Sequence, residues 1–471
     1  MKLKRSKDTD YQMTNQLAVI ATNRFGMGAR DHEIRDAQSD PQGWLSTHLN
    51  TPVLDHSLPD SSVVMSQYAE FRSRKSAEKS GQKPGNQNAM MAPLRRTYFQ
   101  LCSDTLTRSI TSEYSFSWRL LDFFSNHFSV SAQGGLMTPL APTLEREAIA
   151  PNLFGSFADL LIAVEKHPAM LVYLDNEKSI GPESRQANYL KKNSKKARGM
   201  NENLAREILE LHTMGVNGGY QLEDIQELAK AITGWSVARP GKKEGHGFLF
   251  RERAHQPGQR TVLGKKYPDT GANQGEAILR DLAMHPATAR YVSWKLARHM
   301  ISDQPPATLV DTMQEQWLKT GGNLKEVITA LIQHPLSWQI EQQKLKTPRE
   351  FLVSVCRATD GLSPRKKNRE QQSRILVNTL TAMGHKPFGA GSPAGFADVS
   401  SAWDGSDALL TRIDWANRWV ESLKKRTDPL ALADAILGQQ TVSESRTIIR
   451  RAESRQQGLS LLLLSPEFMR R

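Results

Sequence analysis

The chain is predicted to be all-α (mainly helical), a large multi-helix globular protein with a small β-hairpin insert. Three observations carry this. Apolar residues recur at helical spacing in window after window, strand-like alternation is scarce, and the one clear break in helicity is confined to Ser236–Gly275. With 471 residues the chain can bury a large core, and its length allows a division into two lobes, the second over 276–471.

Taken in order, residues 1–14 read as a basic flexible tail ahead of one helical body spanning 15–471. Helical windows follow in "AEFRSRKSAEKS", "YSFSWRLLDFFSNHF", "FADLLIAVEKH", "LEDIQELAKAITGW", "GEAILRDLAMH" and "TARYVSWKLARHMI". Ser80–Pro93 is polar, holds Gly81, Pro84 and Gly85, and reads as a mobile loop. The insert over 236–275 contains "HGFLFRER" and "GQRTVLGK" around "AHQP". Gly247–Leu263 is therefore expected to be a hairpin turning at Pro257–Gly258, with His246 and His255 on an exposed loop.

Three junctions share a His-Pro step, at His167, His285 and His334, and a fourth has Ser465 in the same place. Proline favours the first helical position and pushes the residue before it out of helical geometry. That residue sits at the N-cap, where Ser is a standard choice. The histidines are thus read as caps, not metal ligands.

Composition narrows the function classes. Sixty-two basic and 49 acidic residues give a formal charge of +13, spread diffusely. The densest basic run, Lys191–Arg198, is too short for a nucleic-acid arm, so nucleic acid is an unlikely partner. Cys102 and Cys356 form neither a disulfide framework nor a zinc pattern. No stretch has the length of a membrane span or the form of a signal peptide, which makes the cytoplasm the default expectation.

Little of the sequence looks like chemistry except "NENLAREILELHTMGVNGGY", Asn201–Tyr220. Asn201 suits an N-cap, and Gly215 suits the helix end. At about 100° per residue, Leu204, Ala205, Ile208, Leu209 and Leu211 share one face with His212 in its midst. Glu202, Arg206 and Glu210 form an ionic ladder on the other side. Glu207 and His212 stand about 140° apart on an α-helix, which rules out an HExxH-type zinc pair. Helix geometry alone leaves a core-facing helix with a solvated ladder and a buried histidine.

This helix and the "GGYQLEDIQELAKAITGW" after it resemble the signature of a bacterial family called domain of unknown function 1800. The resemblance continues through "NRFGMG", "FFSNHFSVS", "HPAMLVYLDN", "GFLFRERAHQPGQRTVLG", "HPATARYVSWKLARHMISDQPP" and "KLKTPREFLVSVCRA", from about Leu17 to the C-terminus. It implies a mostly helical protein with no established activity, from a family whose members are often exported and often encoded beside a sulfatase-like protein. The chain departs from the family in places. Phe124 replaces a common Trp before Asn126–His127–Phe128, and Ala150–Pro151–Asn152 stands for Arg-Pro-His. His255–Gln256 stands for His-Asp, Gln221 for a Ser or Thr cap, and "GSPAGF" for a Pro-rich loop.

The resemblance gives Asn203, Arg206 and Glu207 particular weight, since the motif contains them as such. It points to a buried polar network in which Arg206 and Glu207 meet another helix, with Asn126 and His127 as partners. The site candidates are Asn126, His127, Arg206, Glu207 and His255, with metal and cofactor requirements left open. The leading expectation is a non-enzymatic scaffold or assembly factor acting with a partner protein. The alternatives are a hydrolase or transferase with a carboxylate–histidine or metal site, and polyanion binding.

Overall fold

Helices make up most of the computed structural model, which describes residues 7–79, 87–193, 199–238, 247–339, 344–361, 369–423, 427–438 and 443–471. One contiguous apolar core runs from Ala18 to Met469 and draws on helices from both sides of residue 276. Two helices lie at its centre. Ser115–His127 buries Phe116, Leu120, Leu121 and Phe124 completely, each worth roughly 1.5–3 kcal/mol relative to exposure. Pro348–Ala358 is buried along its whole length. Its start is fixed by a capping box in which Thr347 Oγ1 accepts from Glu350 N at 3.2 Å and Glu350 Oε2 accepts from Thr347 N at 2.7 Å.

The early "NRFGMG" segment is stitched to these two helices through its backbone. Arg119 Nε donates to Gly26 O at 2.7 Å, Ser354 Oγ to Met27 O at 3.0 Å and Arg357 Nε to Gly28 O at 2.8 Å. Gly28 has φ +98°, and a Cβ there would lie 2.6 Å from Ser354 Oγ, so only glycine allows this approach. Deep in the same region Glu350 takes charge from Arg119 and, at 2.8 Å, from Arg471 Nε, all three nearly inaccessible to solvent.

All four proline junctions are N-caps. His167, His285 and His334 present Nδ1 to the backbone N–H two residues on, at 3.1, 3.2 and 3.2 Å. Ser465 Oγ accepts from Phe468 N at 3.3 Å. The shorter serine reaches the third helical residue, whereas the imidazole reaches only the second.

Other boundaries differ from the sequence reading. Helix Lys7–Ile20 takes in much of the segment read as a basic tail. Helix Gln87–Thr111 claims 87–93 of the segment read as a loop, and 80–86 lie outside the described residues. The end of the basic run, 194–198, and His246 also lie outside them.

The insert holds two small antiparallel pairs, and the expected Gly247–Leu263 hairpin does not form. Strand β1 (Trp235–Val237) pairs with β2 (Phe248–Phe250) in the register Trp235 to Phe250. Strand β3 (Arg260–Val262) pairs with β4 (Lys265–Tyr267) around Leu263 and Gly264, which have φ +49° and +75°. Positive φ at both turn positions is the geometry of a tight hairpin, but leucine rarely adopts it. Asp224 Oδ1 accepts from Leu263 N at 2.7 Å and holds the turn in place. The partner of β2 is thus Trp235–Val237 and not the Thr261–Leu263 run; in sequence Trp235 looks like the continuation of helix Leu222–Ala231, but Gly234, at φ +84°, turns the chain.

Candidate functional site

Asn126 and His127 end the central aromatic helix and point to different neighbours. Asn126 Nδ2 donates to Phe396 O at 2.9 Å, and its Oδ1 accepts from Phe396 N at 2.8 Å. The amide therefore pairs with the "GSPAGF" loop as one strand residue pairs with another. Gly395 makes room for it, since a Cβ there would lie 2.4 Å from Asn126 O. Beside this latch is a crevice of about 40 Å³ lined by Asp122, Ser125, Arg349, His385 and Phe388 among others. Two of these lining residues, Arg349 and Asp122, pair through Nη1 and Oδ1 at 3.0 Å.

His127 turns inward. Its ring stacks on Phe123 at 5.9 Å, and Nε2 lies 3.1 Å from the carbonyl oxygen of His212, to which it donates in the Nε2–H tautomer. Burial, Lys295 and His212 hold the His127 pKa well below the ordinary histidine value, so the ring is neutral. His212 Nδ1 meets Glu165 Oε1 at 2.7 Å, and neither side chain is exposed. The result is a buried line from helix Phe157–Glu165 through the signature segment to helix Ser115–His127. His127 Nδ1, His212 Nε2 and Glu165 Oε2 are buried with no hydrogen-bond partner among the described residues.

Local backbone geometry delivers His212. The signature segment is α-helical over Asn203–Glu207 and becomes a π turn over Ile208–His212. Thr213 Oγ1 donates to Ile208 O at 2.6 Å, and Gly215, at φ +78°, donates to Leu209 O at 3.1 Å. The wider turn resets the angular spacing that an α-helix would give Glu207 and His212. Two further π turns, Ala21–Phe25 and Glu145–Ile149, likewise carry a buried charged residue, Arg24 and Glu145. Glu145 accepts from Thr105 Oγ1 and Ser125 Oγ, each at 2.7 Å.

Arg206 and Glu207 depart from the expected network. Arg206 is 41% exposed and pairs within its own segment, with Glu202 at 3.7 Å and Glu210 at 3.3 Å. It is the solvated ladder that helix periodicity predicts. Glu207 is half-buried, and burial raises its carboxyl pKa. The link from this segment to Asn126–His127 runs through the His212 carbonyl instead. Asn201 receives the Asn203 N–H on Oδ1 at 2.9 Å and donates to Leu174 O at 2.9 Å.

His255 is buried, contrary to the exposed loop expected for it. Its Nδ1 lies 3.0 Å from Thr233 O, and Nε2 is 3.6 Å from Asp269 Oδ1. Gln256 is also buried, accepting from Glu183 N at 2.9 Å and donating to Glu183 Oε2 at 2.8 Å. His255 thus belongs to a separate brace of the insert.

Sequence reasoning did not single out Glu165. Its signal was a carboxylate in phase with Leu161 and Phe157 on the apolar face of one helix. Among the described residues, no three His, Cys, Asp or Glu side chains are grouped to hold one metal ion. The arrangement can hold a proton along the Glu165–His212 pair and fix three segments relative to one another.

No curated protein and no solved structure is significantly similar to the chain. A family model described as "Protein of unknown function (DUF1800)" matches residues 20–470, which include the latch, the histidine line, the π turns and the caps. The chain belongs to the DUF1800 family.

Proposed function

We propose that the protein is a non-enzymatic helical scaffold that acts with a partner protein. The observation that carries this reading is how the signature side chains are used. Asn126, His127, His212 and His255 each bond to a group 22 or more residues away in sequence, three of them to backbone. Side chains committed in this way set the relative positions of helices and loops. Rigid placement of surface elements is what a scaffold requires.

A second reading, a hydrolase with a carboxylate–histidine site, is favoured by one feature. Among the described residues, the Glu165–His212 pair leaves His212 Nε2 without a partner, as a general base does before substrate arrives.

Glu165→Gln separates the two. As a scaffold brace, Glu165 is required for stability, so the variant melts at lower temperature and purified wild-type protein turns over no ester, amide or phosphoester in a substrate panel. Wild-type turnover, abolished in Glu165→Gln at an unchanged melting temperature, would replace the scaffold reading with the hydrolase.

A further inference from the structure

The crevice beside the Asn126 latch is built from three separate parts of the chain. Helix Ser115–His127 supplies Asp122, helix Pro348–Ala358 supplies Arg349, and the loops after helix Arg369–Ala382 supply His385, Phe388 and Phe396. The loop carrying Phe388 is pinned from two sides. Tyr98 Oη donates to Pro387 O at 2.8 Å, and Ala132 N donates to Phe388 O at 2.6 Å. Phe388 itself is held at φ +51°, a left-handed geometry that so bulky a side chain rarely adopts. The lining is therefore set before any ligand arrives. Its volume of about 40 Å³ exceeds the roughly 10–15 Å³ that one water needs, so a group of about three heavy atoms fits inside.

Arg349 is the exception among the buried arginines. Arg24, Arg119, Arg260, Arg357, Arg412 and Arg471 each donate to a backbone carbonyl. Arg349, 8% exposed, makes no hydrogen bond of that kind among the described residues. Its one ion pair is with Asp122, through Nη1, and its Nε is buried with no partner. His385, on the same lining, has a buried Nδ1 that is also without a partner among the described residues. The His385 ring stacks on Trp403 at 5.1 Å and lies 4.3 Å from the Phe396 ring, which fixes its orientation. Burial lowers its pKa to about 4, so the ring is neutral and Arg349 carries the positive charge of the crevice. Buried donors left unpaired are costly, and a guanidinium more so than an amide.

We infer that this crevice binds the carboxylate of a small organic acid, with Arg349 as the recognition group, His385 as a second donor and Phe388 and Phe396 against the apolar part. Asp122 sits at Nη1, which leaves the edge of the guanidinium formed by Nε and Nη2. That edge presents two parallel N–H groups, the pattern that a carboxylate accepts with both oxygens. The neutral His385 donates from Nδ1 in the tautomer that such an oxygen selects. A primary amide fits less well, because its NH2 would face a donor. Phosphate also fits less well. It brings about five heavy atoms where about three fit, and more negative charge beside Asp122. The inference goes beyond the scaffold reading and does not depend on it.

The test titrates sodium butyrate into the full chain by calorimetry, beside butyramide and inorganic phosphate. The expected result is saturable binding of butyrate, none of butyramide, and weaker binding of phosphate. Arg349→Lys keeps the charge but removes the planar fork, and should weaken butyrate by about tenfold or more. Asp122→Asn removes the carboxylate that competes for the guanidinium, and should tighten butyrate binding. Melting curves show whether each variant folds. If Arg349→Lys does not, the comparison of butyrate with butyramide and the Asp122→Asn variant carry the test. No saturable butyrate binding, equal binding of butyramide, or unchanged affinity in a folded Arg349→Lys overturns the inference. Unchanged or weaker butyrate binding in Asp122→Asn overturns it too. Phosphate binding tighter than butyrate overturns the carboxylate assignment in favour of a general oxyanion site. The scaffold reading is tested separately, through Glu165, so the two can fail independently.

Discussion

Asn126 and Phe396, 270 residues apart, exchange two hydrogen bonds of 2.9 and 2.8 Å, so one side-chain amide fastens the loop that carries Phe396 on to the aromatic helix. Asn126→Ala leaves the Phe396 N–H and C=O without that partner. It should destabilise the fold by about 1–3 kcal/mol, measured by urea unfolding. A loss below about 0.5 kcal/mol, the range of an ordinary surface substitution, would show that the loop is held by other contacts.

The His-Pro caps should tolerate serine, because Ser465 already does the same work at the fourth junction. His285→Ser and His334→Ser should each cost under about 1 kcal/mol. His167→Ser should cost more than either, because His167 Nε2 also meets Glu147 Oε2 at 3.1 Å. Thermal melts of the three variants check the order, and a loss of several kcal/mol at His285 or His334 would contradict the capping role.

Lys346 is fully buried, its Nζ has no hydrogen-bond partner among the described residues, and it lies 4.2 Å from the Phe468 ring centroid. Burial lowers its pKa to about 7, with Glu350 opposing and Arg119 and Arg471 adding to the shift. Lys346→Met keeps the volume and removes a cation from a region crowded with them. The variant should be at least as stable as wild type, with a gain of up to about 1–4 kcal/mol. A marked loss in chemical denaturation would mean that the ammonium is needed to balance Glu350.

Acid should destabilise the protein before its carboxylates titrate. Burial lowers His48 and His385 to about 4 and His127 well below its usual value. Between the unfolded pKa of about 6.5 and those folded values, the unfolded chain binds protons that the folded chain does not. Stability from these groups is therefore complete above pH 6.5 and is lost as pH falls through that window. Glu207, whose pKa is raised, opposes this with a single group. Melting temperatures at pH 7.5 and 5.0 check the sign, and His385→Asn should flatten the slope. A higher melting temperature at pH 5.0 would contradict it.

What could be read from sequence was local. Helical periodicity, the proline caps, the Glu202–Arg206–Glu210 ladder and the Gly215 stop depend on residues within a few positions of one another, and all are present. Apart from the ends of helices Lys7–Ile20 and Gln87–Thr111, read as tail and loop, the misreadings concern distant partners. Phe248–Phe250 could pair with either side of the insert, and three-residue strands carry too little alternation to decide. The π turn over Ile208–His212 leaves no signature in residue type, yet it sets the geometry by which His212 faces Glu165. Glu165 itself was visible only as a charge on an apolar stripe. Arg206 looked like a buried fork because the family motif contains it, and periodicity gave the better account.

The most direct measurement of the structural role of the signature is a double-mutant cycle on Glu165 and His212, whose side chains meet at 2.7 Å with no exposure. Glu165→Leu, His212→Leu and the pair are compared with wild type by urea unfolding. Each single change strands a buried polar partner and should cost about 3–5 kcal/mol. The double change should cost less than the sum, with a coupling of at least about 1 kcal/mol. Single losses near zero, adding without coupling, would contradict the brace and leave the pair free for chemistry.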